Sequence, residues 1–213
     1  MSAVANVTVA SWPALWLSDP SNWPTNGEID VMESLNQATT GNQMTLHTTN
    51  GCSMKAKRKE TGTQLTTNCY NGTDDNAGCG VQGPTDSIGE GFNTNGGGVY
   101  AMELRDAGIR TWFFPRSSIP SDITAGTSPA PNTWGEALAD FPSTHCDIGS
   151  HFRNQSIITN IDVCGSWAGS EAVYTTKDSC PGTSCSAYAA VNPASFDDAY
   201  WEFNYFKVFA ATD

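Results

Sequence analysis

The sequence predicts an all-β protein, an antiparallel β-sandwich or jelly roll, on three observations. Strand-like runs recur between clusters of Gly, Pro, Asn and Ser. No segment carries a long amphipathic helical repeat. The composition, with 20 Gly, seven Trp and only 15% charged residues, is that of a loop-rich extracellular β protein. The runs are 4–9, 14–17, 28–33, 44–48, 99–104, 109–114, 156–163 and 201–209. The fifth and sixth are joined by Arg105-Asp106-Ala107-Gly108 and read as a hairpin. In the seventh, Ile157, Ile161 and Val163 fall on one face while Ile158 and Asp162 fall on the other, a period of two. Two long polar stretches, 66–98 and 117–154, read as loops on this scaffold, tethered by Cys69, Cys79 and Cys146.

A chain of 213 residues suits one domain, 1–213, with a sizeable core. The net charge of −12 excludes nucleic acid and anionic membranes as partners, because no basic patch is large enough to hold phosphates. The densest basic run, Lys55, Lys57, Arg58 and Lys59, reads as a solvated loop or strand edge. Seven cysteines form no CxxC pair, and His47, His145 and His151 make no zinc spacing with them. Disulfides in an oxidising compartment are therefore expected, with no metal and no cofactor, and one thiol left over. Sequons at Asn6, Asn71 and Asn154 lean the same way, toward a secreted glycoprotein. The first residues show no signal-peptide pattern, and no stretch is long and apolar enough for a transmembrane span.

The chemistry concentrates in "NGEIDVMES", residues 26–34, which crowds Glu28, Asp30 and Glu33 into six positions. On a strand, Glu28 and Asp30 share a face, whereas Glu33 would point to the other. One extra residue, a β-bulge near Val31–Met32, returns Glu33 to the face of its neighbours. Three carboxyls on one face raise at least one pKa, so that one group stays protonated beside an ionised one. Glycoside hydrolysis needs that split. Neighbours on one strand face suit the spacing of a retaining mechanism, about 5–5.5 Å, better than an inverting one. A calcium site and a merely solvated strand remain open on spacing alone.

"WPALW" at 12–16 followed by "GEIDVMES" at 27–34 resembles the signature of glycoside hydrolase family 16, in its fungal laminarinase-like, endo-1,3(4)-β-glucanase branch. Further segments resemble that branch in order: "TLHTTNGC" (45–52), "NAGCGV" (76–81), "GGGVYAMEL" (96–104), "IRTWFFPRSSIPSDI" (109–123), "CGSWAG" (164–169), "CPGTSC" (180–185) and "AYWEFNYFKVF" (199–209). The resemblance covers nearly all of the chain after Ser11. Lichenase-like and xyloglucan-active members carry E-x-D-x-E, without the extra residue.

The resemblance implies a concanavalin-like jelly roll with a carbohydrate cleft, acting as a monomer on β-glucan polysaccharide in the medium or cell wall. It implies Glu28 as nucleophile, Glu33 as general acid/base and Asp30 as the group that tunes them. Trp12, Trp16 and Trp23 are candidates to stack on sugar rings, and His47, in an "LHTT" context, to bond substrate or the acid/base. Trp112 and Trp201 read as core, while Trp134 and Trp167 lie in loops at the cleft border. Family members carry a block of strands before the WPAxW segment, where this chain has only residues 1–10. An incomplete N-terminal end, with exposed sheet edges and apolar faces, is therefore expected. Two alternatives stand beside hydrolysis: a non-catalytic glucan-binding protein, and a cell-wall transglycosylase on the same scaffold.

Overall fold

The computed structural model describes the backbone of residues 3–5 and the whole of residues 8–37 and 40–210. Its strands are β1 (Ala3–Ala5), β2 (Ser11–Ser18), β3 (Glu28–Glu33), β4 (Gln43–His47), β5 (Thr63–Gln64), β6 (Cys79–Gln82), β7 (Gly98–Arg105), β8 (Gly108–Pro115), β9 (Ala139–Pro142), β10 (Ser156–Val163) and β11 (Trp201–Phe203). They form a five-stranded sheet in the order β11-β1-β7-β8-β9 and a six-stranded sheet in the order β10-β2-β3-β4-β6-β5. Every pairing in both sheets is antiparallel. The predicted all-β antiparallel sandwich is therefore the observed one.

Alternation on the strands of the six-stranded sheet builds the core. Leu15 lies opposite Met32, Leu17 opposite Ile29, Ile29 opposite Leu46, and Met44 opposite Val81. These side chains meet Tyr100, Ile109, Ala139 and Phe141 of the other sheet in one cluster. Ile29, Met32, Met44 and Leu46 are at most 1% exposed, each contributing roughly 1.5–3 kcal/mol by leaving water. The other face of the same strands is free to carry chemistry.

The hairpin forms as predicted, with Arg105 paired to Gly108 across Asp106-Ala107. Gly108 has φ 154, and a Cβ there would lie 2.8 Å from the Phe141 carbonyl oxygen, which explains the glycine. Of three disulfides, Cys69–Cys79 ties a loop to β6, Cys52–Cys146 joins two loops and Cys164–Cys185 joins the end of β10 to a helix, and Cys180 is the leftover thiol, buried. Cys69, Cys79 and Cys146 do tether the long loops.

Several expectations are corrected. The polar stretch 66–98 contains β6 and a short helix α1 (Gly89–Thr94). The stretch 117–154 contains β9 and two more, α2 (Ser121–Ala125) and α3 (Ile148–His151). Among the described residues no α-helix exceeds the seven residues of α4 (Cys185–Val191). The run 201–209 is strand only at 201–203, and Val208 beyond it is 79% exposed. The run 4–9 begins in β1 and then falls partly on residues 6 and 7, outside the described residues, as does Asn6. Arg58 is not solvated: its side chain is fully buried, pairs with Glu60 at 2.8 Å and lies over the Phe141 ring.

β10 is an outer strand of the six-stranded sheet. Ile157 and Val163, on the side that faces the other sheet, are 46% and 56% exposed.

Candidate active site

The bulge lies where the carboxylate spacing placed it. Along β2, Leu17 pairs with Ile29 and Trp16 with Asp30, but Leu15 pairs with Met32 and Ala14 with Glu33. Val31 is the additional residue. Ser18, Trp16 and Ala14 share one face of β2, so their partners Glu28, Asp30 and Glu33 share one face of β3. His47 and Thr45 on β4 are the partners of Glu28 and Asp30 on the other side, and extend the same face. It is the face turned away from the core.

Each carboxyl has a distinct neighbourhood. Glu33 is 8% exposed and its Oε1 accepts a hydrogen bond from Trp12 Nε1 at 2.9 Å. Asp30 is 4% exposed, and its Oδ2 sits 3.3 Å from His47 Nε2 without a well-aligned hydrogen bond. Glu28 is the least buried of the three and accepts a hydrogen bond from the Trp23 side chain. His47 Nδ1 lies 3.0 Å from Asn76 Oδ1, an acceptor, which puts the ring proton on Nδ1 and turns Nε2 toward Asp30.

Burial in this low-dielectric face penalises the charged forms. Glu28 is pushed up to about 7, by burial first and then by the charge of Asp30, with His47 and the Trp23 hydrogen bond pulling the other way. Burial holds Asp30 well above the usual carboxylate range. Glu33 is likewise pushed up, by burial and then by Asp30, against the pull of Trp12. The arrangement can hold a protonated Glu33 beside an ionised Glu28. Glu28, Asp30 and His47 each offer a ligand atom within 4.8 Å of the others. The imidazole makes that trio a poor match for calcium, which takes oxygen ligands.

Of the predicted aromatic residues, Trp12 and Trp23 touch the carboxylates directly. Trp16 shares their face, but its Nε1 donates to Asn160 Oδ1 at 2.8 Å, one strand away on β10. Trp167 meets Trp12 edge to face, with centroids 5.7 Å apart, and lines a hollow of about 200 Å³ beside Glu33. Gln43, Gln82, Lys177 and Asp178 contribute polar groups to that hollow. Trp134 is not at this border: it packs edge-on against Trp112 and Phe114 of β8, in the other sheet. Trp112 is buried, 2% exposed, under Trp134, and Trp201 is partly buried against the main core cluster. The sequence reading missed Asn42 and Asn76. Asn42 lies outside every quoted segment and Asn76 only opens "NAGCGV", and each matters through the atoms it meets in the fold.

Comparison with known proteins follows this geometry. Residues 2–209 match the family model described as an XgeA-like, catalytic GH16 domain. A probable glycosidase of Schizosaccharomyces pombe is 50% identical over 204 residues, covering 93% of this chain and 47% of its own length. An endo-1,3(4)-β-glucanase of Arthroderma benhamiae is 41% identical over 206 residues, covering 93% and 44%. The chain thus spans about half the length, or less, of these curated relatives. Among solved structures, laminarinase 16A from Phanerochaete chrysosporium, with 6-O-glucosyl-laminaritriose in donor and acceptor sites, superposes with a TM-score of 0.88 at 44% identity. The match covers 94% of this chain and 68% of that one. An elongating family 16 β-1,3-glucosyltransferase gives 0.84 at 38% identity, with the same coverage.

Proposed function

The chain belongs to glycoside hydrolase family 16, with the jelly-roll fold of its laminarinases, and on that premise we propose that it is a retaining endo-β-glucanase acting on 1,3- or mixed 1,3/1,4-linked glucan. In this reading residues 1–213 are one catalytic domain. The observation that carries it is the bulge at Val31, which sets Glu28, Asp30 and Glu33 on one outward face.

Glu33 donates its proton to the glycosidic oxygen as Glu28 bonds to the anomeric carbon. The leaving sugar departs as an alcohol and a glycosyl ester remains on Glu28. Glu33, now a carboxylate, takes a proton from water, whose oxygen displaces Glu28, and the starting configuration returns. Burial disfavours a charge on Asp30, which limits repulsion as the charge on Glu28 changes. Trp12 orients Glu33, while Trp23 orients Glu28 and presents an exposed indole to a sugar ring. Trp16 and Trp167 extend the aromatic platform on either side. The three disulfides suit an oxidising compartment, and secretion to the medium or cell wall fits them.

The test is release of reducing sugar from laminarin and lichenan, with the anomer of the first product read by NMR. Turnover giving the β anomer is expected, together with its loss in Glu28→Gln. An α product, or an active Glu28→Gln, overturns the assignment. A second reading, transfer to a sugar acceptor, is favoured by the likeness to the elongating glucosyltransferase. Longer products on adding laminari-oligosaccharides would support transfer. Binding without turnover would support a glucan-binding protein instead.

A further inference from the structure

The bulge that brings Glu33 to the cleft face breaks the ladder on its other side. β3 pairs with β4 at Glu28, Ile29 and Asp30, opposite His47, Leu46 and Thr45, and no further, although β4 continues to Gln43. Beyond Asp30, the carbonyl of Val31 and the N–H of Glu33 have no strand partner on that side. Both are buried, where an unmet backbone group is costly.

One side chain meets both. Asn42 Nδ2 donates to the Val31 carbonyl at 2.8 Å, and Asn42 Oδ1 accepts from the Glu33 N–H at 2.8 Å. A carboxamide carries one acceptor and a donor in the arrangement of a peptide bond, so it stands in for the missing rung. Asn42 is itself fully buried and anchored. Its N–H donates to Ser87 Oγ at 2.8 Å, and its carbonyl accepts from Gly83 N–H at 2.8 Å and from Gln82 Nε2 at 3.0 Å. Ser87 is held in turn, its Oγ donating to the Pro84 carbonyl and its own carbonyl accepting from the Tyr100 hydroxyl at 2.6 Å.

We propose that Asn42 is a positioning residue for Glu33: its carboxamide fixes the bulge in the one backbone conformation that presents Glu33 beside Glu28 and Asp30. Few other residues can do this. Asp accepts from Glu33 N–H but cannot donate to Val31, and it adds a fourth carboxylate. Ala leaves both backbone groups unmet. This inference rests on reading Glu33 as the acid/base, and its test keeps the two apart.

The test compares substrates that differ in their need for a proton donor. Laminarin requires protonation of its leaving oxygen. In β-laminaribiosyl fluoride the C1–F bond breaks as Glu28 bonds to C1, and fluoride leaves with the electron pair without a general acid. The intact chain and its Asn42→Ala, Asn42→Asp and Glu33→Gln variants are assayed for laminarin kcat/KM and for the first-turnover burst of fluoride. Glu33→Gln is expected to lose about 100-fold or more on laminarin while keeping the burst within about threefold. The Asn42 variants are expected to show the same split at about tenfold or more, since a small misplacement of the acid is enough. If Glu33→Gln shows no split, the acid/base reading fails. If it does and the Asn42 variants lose both activities equally, or neither, the positioning role is overturned. If neither Asn42 variant folds by circular dichroism, Ser87→Ala, which loosens the anchor only, decides. A split of at least about threefold upholds the role, and an unchanged ratio refutes it.

Discussion

Replacing Glu28 with Gln keeps the shape of the side chain and an oxygen for the Trp23 hydrogen bond, but removes one titrating charge from the cleft face. In the fold this carboxyl titrates at about 7, against an ordinary 4.5. Below pH 4.5 it is protonated in both folded and unfolded chains and costs nothing. As pH rises toward and through 7, the unfolded chain releases the proton freely and the folded one does not, so stability is lost. The interval from 4.5 to about 7 corresponds to about 3 kcal/mol, at roughly 1.4 kcal/mol per pH unit. For a chain of this size that is a rise in Tm of about 6–12 °C for Glu28→Gln at pH 8.5, shrinking to near zero at pH 4. Thermal melts of both proteins at the two pH values measure it. The variant should be inactive on laminarin and yet the more stable protein in alkaline buffer, the usual trade between function and stability. An equal Tm difference at both pH values, or a wild type that is the more stable at pH 8.5, would refute the argument that burial raises this group.

Further outcomes follow from the same geometry. Trp12→Phe removes the N–H that favours ionised Glu33, so the alkaline limb of the kcat/KM profile should move to higher pH, with several-fold lower activity. A move to lower pH contradicts the assignment. Gly78→Ala places a Cβ 2.7 Å from His47 Nδ1 at φ 63, so laminarin turnover should fall well below that of Gly135→Ala, whose Cβ meets nothing within 4 Å. Both variants carry the left-handed strain, about 1–2 kcal/mol, which denaturant titration reads. Removing Cys52–Cys146, which closes a separation of 94, should cost about 4–5 kcal/mol in the chain-entropy picture. Removing Cys69–Cys79, with a separation of 10, should cost about 3, and denaturant midpoints rank the two.

What a residue discloses in sequence follows the range of its interactions. The bulge was legible because Glu28, Asp30 and Glu33 can share a face in no other way on one strand. The hairpin was legible because two strand-like runs are joined by the short polar link Arg105-Asp106-Ala107-Gly108. β10 ran from 156 to 163 as its alternation indicated. β6 and β9 were hidden because four residues are too few for a periodic signal. β6 contains Gly80 and is flanked by Gly78 and Gly83, which read as a turn until β4 and β5 pair with it. Arg58 looked solvated because its partners are a glutamate two residues on and a ring 83 positions away. Trp134 and Trp167 looked alike because a loop tryptophan carries no sign of which sheet it packs against.

The extra residue in β3 also bears on how such a site can be inherited. Without Val31 the strand would read Glu-Ile-Asp-Met-Glu, and strict alternation would set all three carboxyls on one face with the ladder intact. A three-base deletion could therefore preserve the charges while leaving Asn42 as a buried amide with its donor and acceptor unmet. Position 31 and position 42 are then gained or lost together. Chains with the longer spacing should keep an amide just before the next strand, and chains with the shorter spacing are free to place an apolar residue there.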